Sequence, residues 1–270
     1  MALDFERNRV QLYLEQAIDP NYDPFTNDKT LVVAFQQQAE IYQLQLNDCT
    51  SISRLLIDDA NDFYYNALIS FHTAINSTLN SGYSWAAINC YYTMYYLMRC
   101  YMNNKQYAFF RTSKKIYLIK NALNETIKQL EKPNTHESTL KTFKKLFPRA
   151  MILSNDIETE SSIDWMKNVR EIINYKARSF LEPVCYDIFE KFSTKDLLLK
   201  NIENIITDDT YVFQPEFAIF GLPLYFFKEV CALNSGNPYI FSKKRTDYLN
   251  TYINQEVNRR LPICLQIPNS

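Results

Sequence analysis

From Asp59 onward the chain repeats apolar side chains at helical intervals, Tyr64, Leu68, Phe71, Ile75 and Leu79, and then breaks at Asn80–Ser81–Gly82. A second run follows at once and places Ala87, Tyr91, Met94, Met98 and Tyr101 on one stripe. Its other side carries Asn89, Tyr92, Thr93, Tyr96 and Arg99, so both faces are largely uncharged. A helix of that kind has to be covered on more than one side. The feature commits the chain to a mainly α fold in which helices bury one another.

The remaining sequence is punctuated in the same way. Phe5 to Ile18 reads as a short helix ending at Asp19–Pro20, and Thr135 to Phe147 as another closed by Pro148. Ser161 with Asp164 resembles a capping box opening a helix whose apolar face is Trp165, Met166, Val169, Ile173 and Ala177, running to about Arg178. Pro183 suits the first turn of a further helix, and Ser193 to Asp196 can cap one more. Two regions stay open between alternatives. Leu31–Phe35 with Ile41–Leu46 reads as a small hairpin, or as helix continued through glutamines 36 to 38. Gln106–Arg111 with Ile116–Ile119 reads as a hairpin, or as the approach to a helix over Asn121 to Glu131 ended by Lys132–Pro133–Asn134.

After Asp208–Asp209 the sequence becomes aromatic and proline-punctuated, with Phe213, Pro215, Phe217, Phe220, Pro223, Tyr225, Phe226 and Phe227. This predicts an appended apolar element packed on the bundle or on a partner. Ser242 to Arg260 is polar and basic and predicts a surface helix. The organisation expected is an N-terminal extension over 1–58, a helical bundle over 59–207 and a C-terminal extension over 208–270. The extensions can include short β hairpins.

Composition excludes several chemistries. Only three glycines occur, at 82, 221 and 236, so neither a Walker nor a dinucleotide phosphate loop can form. Lys plus Arg is 29 against 30 for Asp plus Glu, so any phosphate site must be local rather than a global field. Cysteines at 49, 90, 100, 185, 231 and 264 lack metal-cluster spacing and predict buried thiols in a reducing compartment. No apolar run approaches the roughly 18 to 20 residues that span a bilayer, and no leader pattern opens the chain. A cytoplasmic protein without metal or cofactor is expected. The acidic run Asp156–Glu160 reads as solvated sequence before a helix.

Taken in order, the helix ending near Gly82, then Ala87–Ile88–Asn89–x–Tyr91–Tyr92–x–Met94, then His136 opening a short helix, then Arg170–x–x–x–Asn174–Tyr175 resemble the HEPN superfamily. The resemblance covers roughly residues 59 to 207. It implies an up-and-down helical bundle that dimerises. In nuclease members it also implies RNA cleavage without metal at a composite Arg and His site from two protomers. There the His moves the ribose hydroxyl proton, and the guanidinium holds the phosphate charge that grows in the transition state. Arg170 matches the Arg, and Tyr175 stands where a His would follow a four-residue gap. A phenol with a pKa near 10 is a poor base at neutral pH, though it donates hydrogen bonds.

The resemblance thus nominates Arg170, Asn174 and Tyr175 as site residues. On a regular helix positions 170 and 175 lie about 140° apart, whereas Arg170, Asn174 and Arg178 share a stripe that could bind phosphate. His136 is an auxiliary acid or base, or a helix cap. His72, on the flank of the 64-to-79 stripe, reads as a hydrogen-bonded packing residue. Three functions fit: an RNA-binding and cleaving effector of a defence or toxin–antitoxin system, acting as a homodimer; a non-catalytic scaffold; and a nucleotide binder using a tyrosine-rich pocket. The scaffold would dock a co-encoded nucleotidyltransferase, nuclease or ATPase through Tyr211 to Phe227.

Overall fold

The computed structural model describes residues 8–131, 134–180, 182–234 and 239–261. The fold is mainly α with small antiparallel sheets. Its elements are α1 (Arg9–Ile18), α2 (Lys29–Ile41), α3 (Leu46–Leu79), α4 (Tyr83–Asn104), β1 (Tyr107–Thr112), β2 (Lys115–Lys120) and β3 (Lys128–Gln129). They continue with α5 (Thr135–Leu146), β4 (Asp156–Ile157), β5 (Glu160–Ser161), α6 (Ser162–Glu171), α7 (Lys195–Thr207), α8 (Pro215–Leu233), α9 (Lys243–Tyr252) and α10 (Gln255–Arg260). The chain forms two compact units, the first from residues 1–62 and 99–143, the second from 63–98 and 144–270. Long helices α3 and α4 therefore contribute residues to both.

In the first unit, Val10, Leu14, Phe35, Ala39, Leu44, Ile52 and Leu56 close over Phe110, Tyr117, Ile119 and Ile127. The helical option is taken at 29–41: Asp28 caps the helix by accepting from the Thr30 N–H at 2.8 Å, and Phe35 and Ala39 turn inward one helical turn apart. The hairpin option is taken at 107–120, where β1 pairs with β2 around Ser113, whose φ of 48° supplies the tight turn. No helix forms over 121–131. Asn124 takes a φ of 61°, and its N–H and the Glu125 carbonyl bond the backbone of Leu44, so the segment spends its backbone groups on a neighbour instead of on itself. Of the expected terminator, Lys132 and Pro133 lie outside the described residues.

Carboxylates tie the first unit together. Asp59, 3% exposed, accepts from the backbone N–H groups of Arg9 at 3.0 Å and Val10 at 3.2 Å, capping α1 from another helix. The Arg9 guanidinium lies beside both Asp59 and Asp62. Asp48 accepts from the Tyr13 and Tyr42 hydroxyls and from the Gln45 N–H.

The second unit is built around α8. Phe217, Phe220, Leu224, Phe226, Phe227 and Val230 are buried, with Phe192 and Phe220 rings 4.9 Å apart and Phe71 and Phe227 rings 5.6 Å apart. The aromatic segment after 208 is therefore the chain's own central helix. Gly221 permits the closest approach: a Cβ there would stand 3.0 Å from the Cα and carbonyl oxygen of Val212. The polar tail forms two helices, α9 and α10, rather than one. Among the described residues no helix is long and apolar enough to cross a membrane.

Candidate functional site

The two sequence stretches that carry the resemblance meet within the second unit. Ser161 caps α6 as expected, accepting from the Asp164 N–H at 3.3 Å while its hydroxyl donates to Asp164 Oδ2 at 2.7 Å. Lys144 clamps both oxygens of Asp164 at 2.7 Å. Trp165, Met166 and Ile173 point inward and leave Arg170 half-buried at the edge of the packed face. The charge run before the helix is a tight hairpin, β4 with β5, and its Glu160 accepts from Asn168 at 2.6 Å.

After Glu171 the helix widens into a π turn over Ile172–Lys176, closed by the Ala177 N–H bonding the Ile172 carbonyl at 2.7 Å. This overturns the expected separation of 170 and 175. Widening the turn lowers the rotation per residue and swings Tyr175 back toward Arg170. Arg170 Nη2 donates to the Tyr175 hydroxyl at 3.0 Å, and its guanidinium carbon lies 4.8 Å from the Tyr175 ring centroid. The same carbon lies 5.4 Å from the ring of Tyr91, a buried residue of α4. Burial drives the Tyr91 phenol upward while the nearby Arg170 charge opposes it, so Tyr91 stays a neutral ring.

Arg170 has no carboxylate partner among the described residues, and its Nε is buried without a hydrogen bond. Neighbouring charges are matched elsewhere: Lys167 pairs with Glu171 at 3.5 Å. The cluster is thus a cation held by two rings and a phenol, with its charge uncompensated. Tyr175 is 70% exposed, so the far side of the pair faces solvent.

The Arg170–Asn174–Arg178 stripe does not form. The chain leaves the helix at Ala177, with ψ at 137°, so Arg178 lies beyond the helix and is exposed. Asn174 is half-buried and its side chain makes no hydrogen bond among the described residues. His136 belongs to the first unit and Arg170 to the second. Its expected capping role falls to Asn134, whose side chain accepts from the His136 N–H at 3.0 Å. His72 is fully buried, yet neither ring nitrogen has a hydrogen-bond partner, contrary to its expected role. Burial lowers its pKa to about 4, which keeps the imidazole neutral.

A clamp that the sequence did not signal secures the segment after the π turn. Glu182 accepts from the Ser84 N–H and from the Ser84 hydroxyl, the latter at 2.9 Å, and so caps α4; Tyr186 bonds the same hydroxyl at 3.0 Å. Desolvation raises the Glu182 carboxyl pKa, but the bonds from Ser84 outweigh it and leave the group below its ordinary range. Nearby, Trp85 and Phe180 meet edge to face at 5.7 Å, 55% and 46% exposed. Tyr91 was legible as a helix-stripe and motif residue but not as a partner of Arg170, and Glu182 carried no signal beyond residue type, because a contact between distant stretches has no local period. Among the described residues no group of three or more His, Cys, Asp or Glu is placed to hold a metal. Comparison with family models, with curated proteins and with solved structures finds no match to this chain.

Proposed function

We propose that this chain is a HEPN-like effector of a bacterial defence or toxin–antitoxin system that binds RNA through Arg170, with metal-independent cleavage as the further step of the same reading. The observation that carries it is the uncompensated guanidinium. Arg9 is matched by two carboxylates, whereas among the described residues Arg170 meets two tyrosine rings and a phenol hydroxyl. A phosphate oxygen is the acceptor that completes such a fork. Tyr175 orients the fork and offers its own hydroxyl to the same anion. For cleavage, Arg170 would stabilise the charge growing on the phosphate. No histidine stands in this cluster to take the 2′-hydroxyl proton, so binding is the larger part of the proposal.

A homodimer and a cytoplasmic location belong to the same reading. Ile172, Trp85, Phe180 and Val184 are exposed on the unit that holds Arg170, and open apolar side chains of this kind favour a protein contact. The scaffold reading loses its expected surface, because Phe220 and Phe226 are fully buried. A docking partner would have to use other residues.

The test is incubation of purified protein with total RNA and transfer RNA in excess EDTA, beside Arg170→Ala, with RNA affinity measured in parallel. Retention of RNA by wild type and its loss in Arg170→Ala supports binding, and new fragments from wild type alone support cleavage. Equal affinity for both proteins, with identical RNA patterns, removes the reading.

A further inference from the structure

Helix α9 breaks a local electrostatic rule. Its first three residues are Lys243, Lys244 and Arg245, and no acidic residue stands in its first turn. Cations there oppose the positive end of the helix dipole. The chain has 30 acidic residues with which to relieve this, yet neither Lys243 nor Lys244 pairs with a carboxylate among the described residues. Asp247, four residues after Lys243, forms no ion pair with it either.

An open aromatic ring stands one turn further on. Tyr248 is 50% exposed and stacks on Tyr252 at 5.7 Å with an interplanar angle of 11°. Tyr252 is itself fixed, its hydroxyl 2.7 Å from Thr73 Oγ1 and its carbonyl accepting from Asn76 at 3.1 Å. Arg245 lies 4.8 Å from the Tyr65 ring, and Leu249 is buried, so the helix is anchored with Lys243, Lys244 and Tyr248 outward. Every element of this face belongs to the second unit.

We infer that this face of α9 binds single-stranded nucleic acid, with Lys243 and Lys244 on phosphates and a base stacked on Tyr248. Unpaired cations beside a rigid open ring match a strand that alternates negative charge with flat π surfaces. A duplex hides its base faces, so the ring would go unused. An anionic membrane is the weaker match, because among the described residues within a few positions of the helix Ile240 is the one strongly exposed aliphatic side chain, and interfacial helices need an apolar face. The inference rests on the RNA reading above but uses residues separate from Arg170.

The test is fluorescence anisotropy with a labelled single-stranded RNA of about 20 nucleotides across a salt series. The proteins are wild type, the pair Lys243→Glu with Lys244→Glu, Tyr248→Ala and Arg170→Ala. The double substitution should weaken binding at least tenfold and flatten the slope of log affinity against log salt by about 1.4, from roughly 0.7 per lost phosphate contact. Tyr248→Ala should weaken it about five-fold or more and leave the slope unchanged. Wild-type affinity and slope in the double variant overturn the inference, as does equal affinity for a duplex of the same length. Binding to phosphatidylserine vesicles without binding to RNA overturns it in favour of a membrane. Loss in Arg170→Ala with no loss in the α9 variants would leave the Arg170 reading standing and remove this one; the reverse pattern does the opposite. Circular dichroism of each variant verifies that loss of binding is not loss of fold.

Discussion

Arg9 and Arg170 are the same residue type put to opposite uses. Arg9 lies between two carboxylates, Asp59 and Asp62, one of them buried and also capping α1. Arg170 lies between two tyrosine rings with no carboxylate partner among the described residues. The first arrangement is complete within the chain. The second satisfies the shape of the guanidinium and leaves its charge open, which is the ground of the proposal that Arg170 serves a ligand.

The largest expected effect lies on the architectural side. Asp59→Ala removes the acceptor of two helix-terminal N–H groups and strands Arg9 beside Asp62 alone, at a cost of about 2 to 3 kcal/mol. Both tryptophans, Trp85 and Trp165, belong to the second unit, so the loss is read by calorimetry or by amide exchange in α1. Unchanged exchange there would dissolve the contrast.

In the second unit the comparable sensitivity lies at Gly221 and not at Arg170. Gly221→Ala forces a methyl to 3.0 Å from Val212 backbone and should cost about 1 to 3 kcal/mol, seen as a lower urea midpoint by tryptophan fluorescence. A midpoint equal to wild type would show that Val212 yields freely.

Protonation gives a third, smaller handle. His72 has a folded pKa of about 4 against an ordinary 6.5, so its neutral form belongs to the fold and the unfolded chain binds the proton first. Stability is full above pH 6.5 and declines as pH falls toward 4. His72→Leu should flatten that decline between pH 6.5 and 5; the same decline in both proteins would assign it to carboxylates instead.

These sites also mark where the sequence was legible. The α3 and α4 repeats and the Ser161–Asp164 cap were readable because each is a local pattern at 3.6-residue spacing. The π turn was not, since periodicity arguments assume the regular helix, and one widened turn moved Tyr175 from across the helix to Arg170's side. Helix α8 was obscured by its own punctuation. Gly221 and Pro223 look like breaks, yet Gly221 makes room for Val212 and Pro223 is buried within an intact helix. The non-helical path of 121–131 depends on Leu44, a partner 80 residues before Asn124 that no local reading supplies. Arg170 itself was nominated by motif order, but its lack of a carboxylate became visible only with its neighbours in place.

Arg170→Ala carries a small expected effect on stability, about 1 to 2 kcal/mol, because its two partly exposed cation–π contacts contribute about 0.5 to 1 kcal/mol each. The central claim is that the charge of Arg170 is kept for a ligand. Its most direct test is the affinity of Arg170→Ala for single-stranded RNA, measured beside Arg9→Ala. The account predicts at least tenfold weaker binding for Arg170→Ala with no more than that small loss of stability, and unchanged binding for a destabilised Arg9→Ala. Equal RNA affinity in both variants and wild type, with Arg170→Ala the one that unfolds early, would contradict it.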